Sequence, residues 1–331
     1  MTPVPGPSTS SSATSDPTSD IAAADVGRRR RLLRLADANG VIAGIAIDHR
    51  DSLRVMLERR GAKPPDAAEL RSLKLILSRA LAPAATALML DAELGGQALE
   101  AGVVPAGVGL IMPLEAQGYE DADAPTTTLL DDFSPAVALR YGADACKVLL
   151  PYRVDDPATA GRQEALVTAT LATCHELGLP LVVEPVVDRR PGDTSATFAR
   201  AYPGLVVGAV ERLEALGADL LKLPFPILDL ASASESAALD ACRALDAACR
   251  GTPWVLLGAG VDTDTFVDQI RIAGAAGASG FLAGRGIWGA ALDVDPADIE
   301  RTASTTCRAD LQRCRAVAER FATPLASPRV G

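Results

Sequence analysis

From position 41 onward the chain repeats one pattern: a short apolar run, a polar or charged residue, a loop, then a longer segment with helical spacing. The apolar runs fall at 41–47, 87–90, 107–112, 145–150, 179–183, 220–221, 254–257 and 280–282. Near-continuous apolar strands alternating with helices require a parallel sheet covered by helices, and eight such units predict an α/β chain closed into a (β/α)8 TIM barrel. The intervening segments agree: 67–81 sets Leu70, Leu73, Leu77 and Leu81 on one stripe, and the segment starting at 263 has Asp262 or Thr263 as its cap. YGADACK, LGADLLK and AGASGFLAG each use a glycine to end a helix and two small or acidic residues to start the next strand. An open doubly wound sheet is the alternative architecture, but no strand is followed by the G-x-G-x-x-G of a dinucleotide site.

Residues 1–22 are dominated by Ser, Thr, Pro and Asp and are expected to form a disordered tail; 23–331 are expected to form one barrel domain ending in a helical segment. No apolar run reaches membrane-spanning length, and no membrane partner is expected. Arg28 to Arg31 and Arg34 form a basic cluster, yet 42 acidic against 32 basic residues give a net charge of −10 and aromatics are 4% of the chain, which argues against nucleic acid. Six scattered cysteines without a C-x-x-C pair, and only two histidines, argue against a zinc site and a disulfide scaffold. A reducing cytoplasm is the expected compartment, no metal or cofactor is implied, and a homo-oligomer is compatible with the sequence.

Barrel chemistry gathers where strands end. The charged residues that terminate the apolar runs are Asp48, Asp91, Lys147, Glu184 and Lys222, with Arg285 after the eighth run. Each taken singly could simply face solvent at a strand end. Lys222 stands between Leu220-Leu221 and Leu223-Pro224-Phe225-Pro226, where desolvation and a nearby cation such as Lys147 would disfavour the ammonium form and free the amine to attack a carbonyl. The imine so formed is an electron sink for C–C cleavage; the plainer alternative is a lysine that only binds an anion. Glu184, in VVEPVV, is suited to the proton transfers such chemistry needs. Lys147 can orient Glu184 or bind a hydroxyl, and Asp48 can hold hydroxyls or position Lys147; a structural ion pair at the rim is the alternative for these two. Gly258-Ala259-Gly260 after the seventh strand and Gly284-Arg285 after the eighth occupy the usual phosphate-binding position of barrels. The phosphate beside the ketone is expected there, with the remote end of the substrate crossing toward the loops after strands one and two. His49 adjoins the rim, His175 lies on a helix, Trp254 and Trp288 pack between barrel and helices, Tyr152 could wall the pocket, and the cysteines are small core or helix residues.

The series AIDHRDSLRVML, LMLDAELG, GADACKVLL, LVVEPVV, GADLLKLPFP, PWVLLGAGV and GASGFLAGRGIWG, taken in order between about Asn39 and Ala290, resembles the class I tagatose-bisphosphate aldolase family, more closely its sulfofructosephosphate aldolase branch. The resemblance implies a metal-independent lyase that cleaves a ketose 1-phosphate, phosphorylated or sulfonated at its far end, into dihydroxyacetone phosphate and an aldehyde. It places the Schiff-base lysine on Lys222, the proton-transferring glutamate on Glu184, the fourth-strand lysine on Lys147 and the first-strand aspartate on Asp48. Phosphate-binding duties would fall on Gly260, Gly284 and Arg285; Gly258, Ala259, His49, Arg50 and Asp91 are the further candidates for substrate contact at the strand ends. Three positions depart from the family pattern: His49 replaces a glutamine, Gly258 a serine and Pro224 a glutamate, and all three bear on substrate rather than fold. Deoxyribose-phosphate aldolase or transaldolase chemistry, or a non-catalytic sugar-phosphate-binding barrel, are the alternatives.

Overall fold

The computed structural model describes residues 17–59, 64–116 and 125–325. Eight strands, β1 (Ile42–Ala46), β2 (Ala87–Met89), β3 (Gly109–Pro113), β4 (Ala145–Pro151), β5 (Leu181–Val186), β6 (Leu220–Leu223), β7 (Trp254–Leu257) and β8 (Gly280–Ala283), pair in order and in parallel, and β8 closes onto β1. Helices α1 (Pro17–Leu33), α2 (Asp51–Arg59), α3 (Ala67–Leu81), α4 (Ala92–Glu100), α5 (Pro135–Arg140), α6 (Pro157–Glu176), α7 (Ser195–Glu214), α8 (Glu235–Ala248) and α9 (Thr263–Ala276) accompany them. The short α10 (Arg285–Trp288) and α11 (Ile299–Thr302) precede α12 (Arg308–Phe321), which packs on α9. The expected eight strands are all present, with ends shifted by up to three residues. No helix among the described residues is long and apolar enough to cross a membrane.

Helix starts follow local chemistry. Asp66 accepts from the N–H groups of Ala68 and Glu69 while Glu69 reaches back to the Asp66 N–H, a reciprocal cap that fixes where α3 begins. At α9 the cap is Asp262, whose carboxylate accepts from the Thr265 N–H at 3.0 Å. Helix α1 begins at Pro17, inside the segment expected to be a tail; proline is well placed at a first helical position, where its missing N–H would have no partner anyway. Residues 1–16 of that expected tail lie outside the described residues.

Two apolar layers follow from the two-residue period of a strand. Ile42, Ala46, Ala87, Met89, Ile111, Ala145, Val182, Leu220, Val255 and Leu282 point into the barrel, while the alternate residues, among them Ile45, Leu88, Cys146, Val183, Leu221 and Phe281, pack under the helices. All six cysteines are buried and unbridged, in line with the reading of them as small core residues. Trp254 and Trp288 are buried in the outer layer and donate their indole N–H groups to Asp246 and to the Ala46 carbonyl.

The repeated Gly-Ala-Asp joints have a shared function at the amino-terminal face of the barrel. Asp144, just before β4, accepts from the Leu110 N–H of β3 at 3.0 Å, and Asp219, just before β6, accepts from the Leu181 N–H of β5 at 2.9 Å. Each also holds an arginine from the basic cluster, Arg34 at 2.6 Å and Arg28 at 3.2 Å, and Asp219 takes His175 at 2.8 Å. Part of the basic cluster therefore serves to fasten the N-terminal segment to the barrel.

Candidate active site

The interior parity of each strand decides which charged groups meet. Ala46, Ala145, Val182 and Leu220 point inward, so the residues two positions on, Asp48, Lys147, Glu184 and Lys222, point inward as well, one layer nearer the carboxyl-terminal mouth. Lys147, Glu184 and Lys222 lie within their strands rather than at the ends, with β4 running four residues beyond Lys147 to Pro151. All four side chains are buried. The Lys222 ammonium lies 2.8 Å from Glu184 Oε1, and Lys147 lies 3.1 Å from Glu184 Oε2 and 3.1 Å from Asp48 Oδ2. Glu184 thus bridges the two lysines, so the second cation faces Lys222 through a carboxylate.

Glu115 completes the cluster and was not among the expected site residues. Its Oε1 lies 2.5 Å from Lys147 Nζ, and the residue is 1% exposed. The same parity predicts it: Ile111 points inward, and 115 is two periods further on. Burial pushes the Glu115 carboxyl above the ordinary carboxylate range, with Lys147 opposing and Asp48 adding to the rise. Burial would also raise Asp48, but the Lys147 ammonium, helped by His49 and Lys222, holds its carboxyl well below the usual range. Of the three carboxylates around Lys147, Asp48 is therefore kept ionised and Glu115 is biased toward the acid form.

Asp48, Lys147, Glu184 and Lys222 form the floor of a cavity of about 450 Å³ that opens at the carboxyl ends of the strands. Its rim on one side is Gly258-Ala259-Gly260, Gly284 and Arg285, the expected phosphate-binding set. Ala259 has φ +39°, a left-handed backbone that an alanine adopts only where its surroundings impose it, and such strain gathers at ligand clamps. At Gly258 a Cβ would sit 3.2 Å from the Ala283 Cα, so glycine lets the ends of β7 and β8 approach closely. His49 lines the cavity, with its ring edge-on to Trp288 at 5.2 Å. Burial, assisted by Arg285, Lys222 and Lys74 and opposed by Asp48, pushes the imidazole down to about 4, so it is neutral at physiological pH.

Two expected substrate contacts lie elsewhere. Asp91 caps α4, accepting from the Leu94 N–H at 2.7 Å, and pairs with the buried Lys74. The chain turns out of the barrel after Met89, which carries this carboxylate into the wedge between β2, α3 and α4. Arg50 donates to the Glu115 carbonyl and stands 3.9 Å from Glu93, and it too is absent from the cavity wall. Tyr152 has outward parity and hydrogen-bonds Glu164 behind the strands, so Leu149 and Pro151 wall the pocket instead. Among the described residues the loop after β2 contributes nothing to the cavity. The flank opposite Arg285 is built from Val186 at the end of β5, Val187 and Asp188 after it, Phe198 and Tyr202 of α7, and Leu228 beyond β6.

The closed parallel barrel thus buries a lysine–glutamate–lysine chain near the carboxyl-terminal mouth of its strands. Residues 42–290 match the DeoC/LacD family of aldolases, and the chain belongs to that family. It is 32% identical to a tagatose 1,6-diphosphate aldolase of Enterococcus faecalis over 79% of this chain and 83% of that protein, and 30% identical to a tagatose 1,6-diphosphate aldolase of Listeria monocytogenes over 81% and 83%. In fold it resembles the fructose-bisphosphate aldolase of Slackia heliotrinireducens, with a TM-score of 0.61 at 19% identity over 95% of this chain and 96% of that one. Among the described residues no group of His, Cys, Asp and Glu side chains is arranged to hold a metal ion.

Proposed function

We propose that the protein is a class I aldolase that reversibly cleaves a ketose 1-phosphate into dihydroxyacetone phosphate and an aldehyde through an imine on Lys222. The observation that carries this reading is the 2.8 Å contact between Lys222 Nζ and Glu184 Oε1 at the floor of the cavity. Glu184 takes a proton from the ammonium, and the neutral amine attacks the ketone carbon. The same carboxyl then returns a proton to the carbinolamine hydroxyl, which leaves as water. The cationic imine draws the C3–C4 bonding pair toward nitrogen as the C4 hydroxyl loses its proton; the aldehyde departs and an enamine remains. Protonation at C3 and hydrolysis release dihydroxyacetone phosphate and regenerate the lysine.

The surrounding groups support the cycle. Asp48, held ionised, accepts from substrate hydroxyls, and Lys147 fixes the Glu184 carboxylate from its far oxygen. The glycine loops after β7 and β8 present backbone N–H groups to the phosphate, and Arg285 adds a guanidinium to it. A sulfonated far end, as in the sulfofructosephosphate branch, rests on the motif resemblance alone.

Incubation with dihydroxyacetone phosphate and borohydride should add a stable mass to Lys222, with cleavage of ketose 1-phosphates undiminished in EDTA. Turnover of 2-deoxyribose 5-phosphate with none of any ketose 1-phosphate would overturn the substrate assignment. An Arg285→Ala variant should raise KM for ketose 1-phosphates about tenfold to a hundredfold with a smaller change in kcat, since the phosphate is gripped in ground state and transition state alike. Steady-state kinetics over a panel of 1-phosphates checks this: the loss should be similar for every one.

A further inference from the structure

The charges around the cavity are arranged for one anion at one end. Of the cations lining it, Lys147 is held by Asp48, Glu115 and Glu184, and Lys222 is engaged by Glu184 and committed to the carbonyl. Arg285 remains; it makes no ion pair among the described residues and stands at the glycine loops after β7 and β8. The opposite flank offers the reverse chemistry. Val186, Val187, Phe198 and Leu228 make it apolar, and among the described residues that line it the charged side chain is the Asp188 carboxylate. No guanidinium lines this flank among the described residues: Arg153 is paired with Asp155 and Asp193, each at 2.7 Å, while Arg189 and Arg190 follow Asp188 outside the cavity wall, Arg189 donating to Ser195 at 2.8 Å. Burial raises the Asp188 carboxyl, opposed by Arg190, as expected of an acid on an apolar wall.

We propose that this site takes a ketose with a single phosphate, on the carbon beside the ketone, and releases an uncharged aldehyde. The inference rests on the aldolase reading above and narrows its substrate. With the phosphate at Arg285 and the ketone at Lys222, the chain beyond C4 extends along the apolar flank rather than toward the loops after β1 and β2 as the sequence suggested, since among the described residues the loop after β2 contributes nothing to the cavity. A second phosphate or a sulfonate there would meet no cation among the described lining residues and would approach Asp188 with like charge. Like charge beside an apolar wall disfavours a competing ligand even when the rest of it fits. A hydroxyl or alkyl end meets no such penalty. His49, neutral at physiological pH, adds no positive charge on the β1 side.

The test compares kcat/KM for fructose 1-phosphate with fructose 1,6-bisphosphate, and for tagatose 1-phosphate with tagatose 1,6-bisphosphate, alongside borohydride trapping of dihydroxyacetone phosphate. The expected result is a preference for the monophosphate of at least about tenfold in the better-used sugar. Asp188→Lys, a change on an exposed side chain that the fold tolerates, should shrink or reverse the preference by improving the bisphosphate. Trapping at Lys222 together with equal or better use of the bisphosphates, unaffected by Asp188→Lys, overturns the single-anion inference while leaving the aldolase reading intact. Absence of trapping overturns the reading on which it rests.

Discussion

Replacing Lys222 with alanine should abolish cleavage, lowering kcat by at least about a thousandfold and removing the borohydride-trapped adduct. The size follows from what the side chain supplies: with no amine there is no imine, and the C3–C4 bond has no electron sink. Arginine should not substitute, because its guanidinium stays protonated at working pH. Lys222→Met keeps the length of an apolar stem and tests whether loss comes from chemistry or packing; Glu184 keeps Lys147 at 3.1 Å, so the thermal midpoint should fall less than in Lys147→Met. Measured turnover above about one hundredth of the parent in either variant, with product formed at a matching rate, would show that the reaction does not pass through this lysine.

The largest effect on stability should come from Lys147→Met. That change leaves Asp48, Glu115 and Glu184 facing one another without the cation that joins them, and breaking a buried ion pair from one side costs about 3–5 kcal/mol. The deficit should depend on pH in a direction fixed by Glu115. Its carboxyl already sits above the ordinary range through burial, and losing Lys147 raises it further. A carboxyl raised in the folded state burdens the fold once pH exceeds its unfolded value, and the burden is relieved as pH falls back toward that value. Denaturant unfolding at pH 8 and pH 5 should therefore show a smaller gap between variant and parent at pH 5. An equal gap at both would mean that Glu115 does not take up the proton. Activity should fall as well, because Glu184 loses the contact that orients its second oxygen.

The barrel was legible because buried parallel strands are continuous apolar runs, and eight of them between helices leave little choice of closure. The core of the site was legible for a related reason: charged residues are rarely placed inside a barrel, so Lys147, Glu184 and Lys222 stand out within apolar strands. Strand-end position predicts how far along the barrel axis a residue lies, but not which way it points. Asp91 lies at the right height and was drawn instead to Lys74 and a helix N-terminus, and Arg50 turned to the Glu115 carbonyl. Parity carries the missing information. Counting in twos from Ile111 finds Glu115, hidden behind Pro113 and Leu114, and counting from Ala145 sends Tyr152 outward. The apolar flank was not legible, because Asp188 and Leu228 lie on loops and Phe198 on a helix, where no strand period applies.

The reach of the Asp144 and Asp219 joints extends through the whole barrel. Each carboxylate ties the start of one strand to the start of its neighbour, Asp219 linking β5 to β6 and Asp144 linking β3 to β4. A strand that slips by one residue turns every side chain to the other face. Glu184 and Lys222 are therefore aimed at each other by a clamp on the floor opposite the reaction, and Lys147 and Glu115 by a second one. Lys222 and Glu184 are calibrated from beneath, so a substitution at Asp219 that never approaches substrate should act as a misalignment of the proposed amine and proton carrier, lowering kcat before it unfolds the chain.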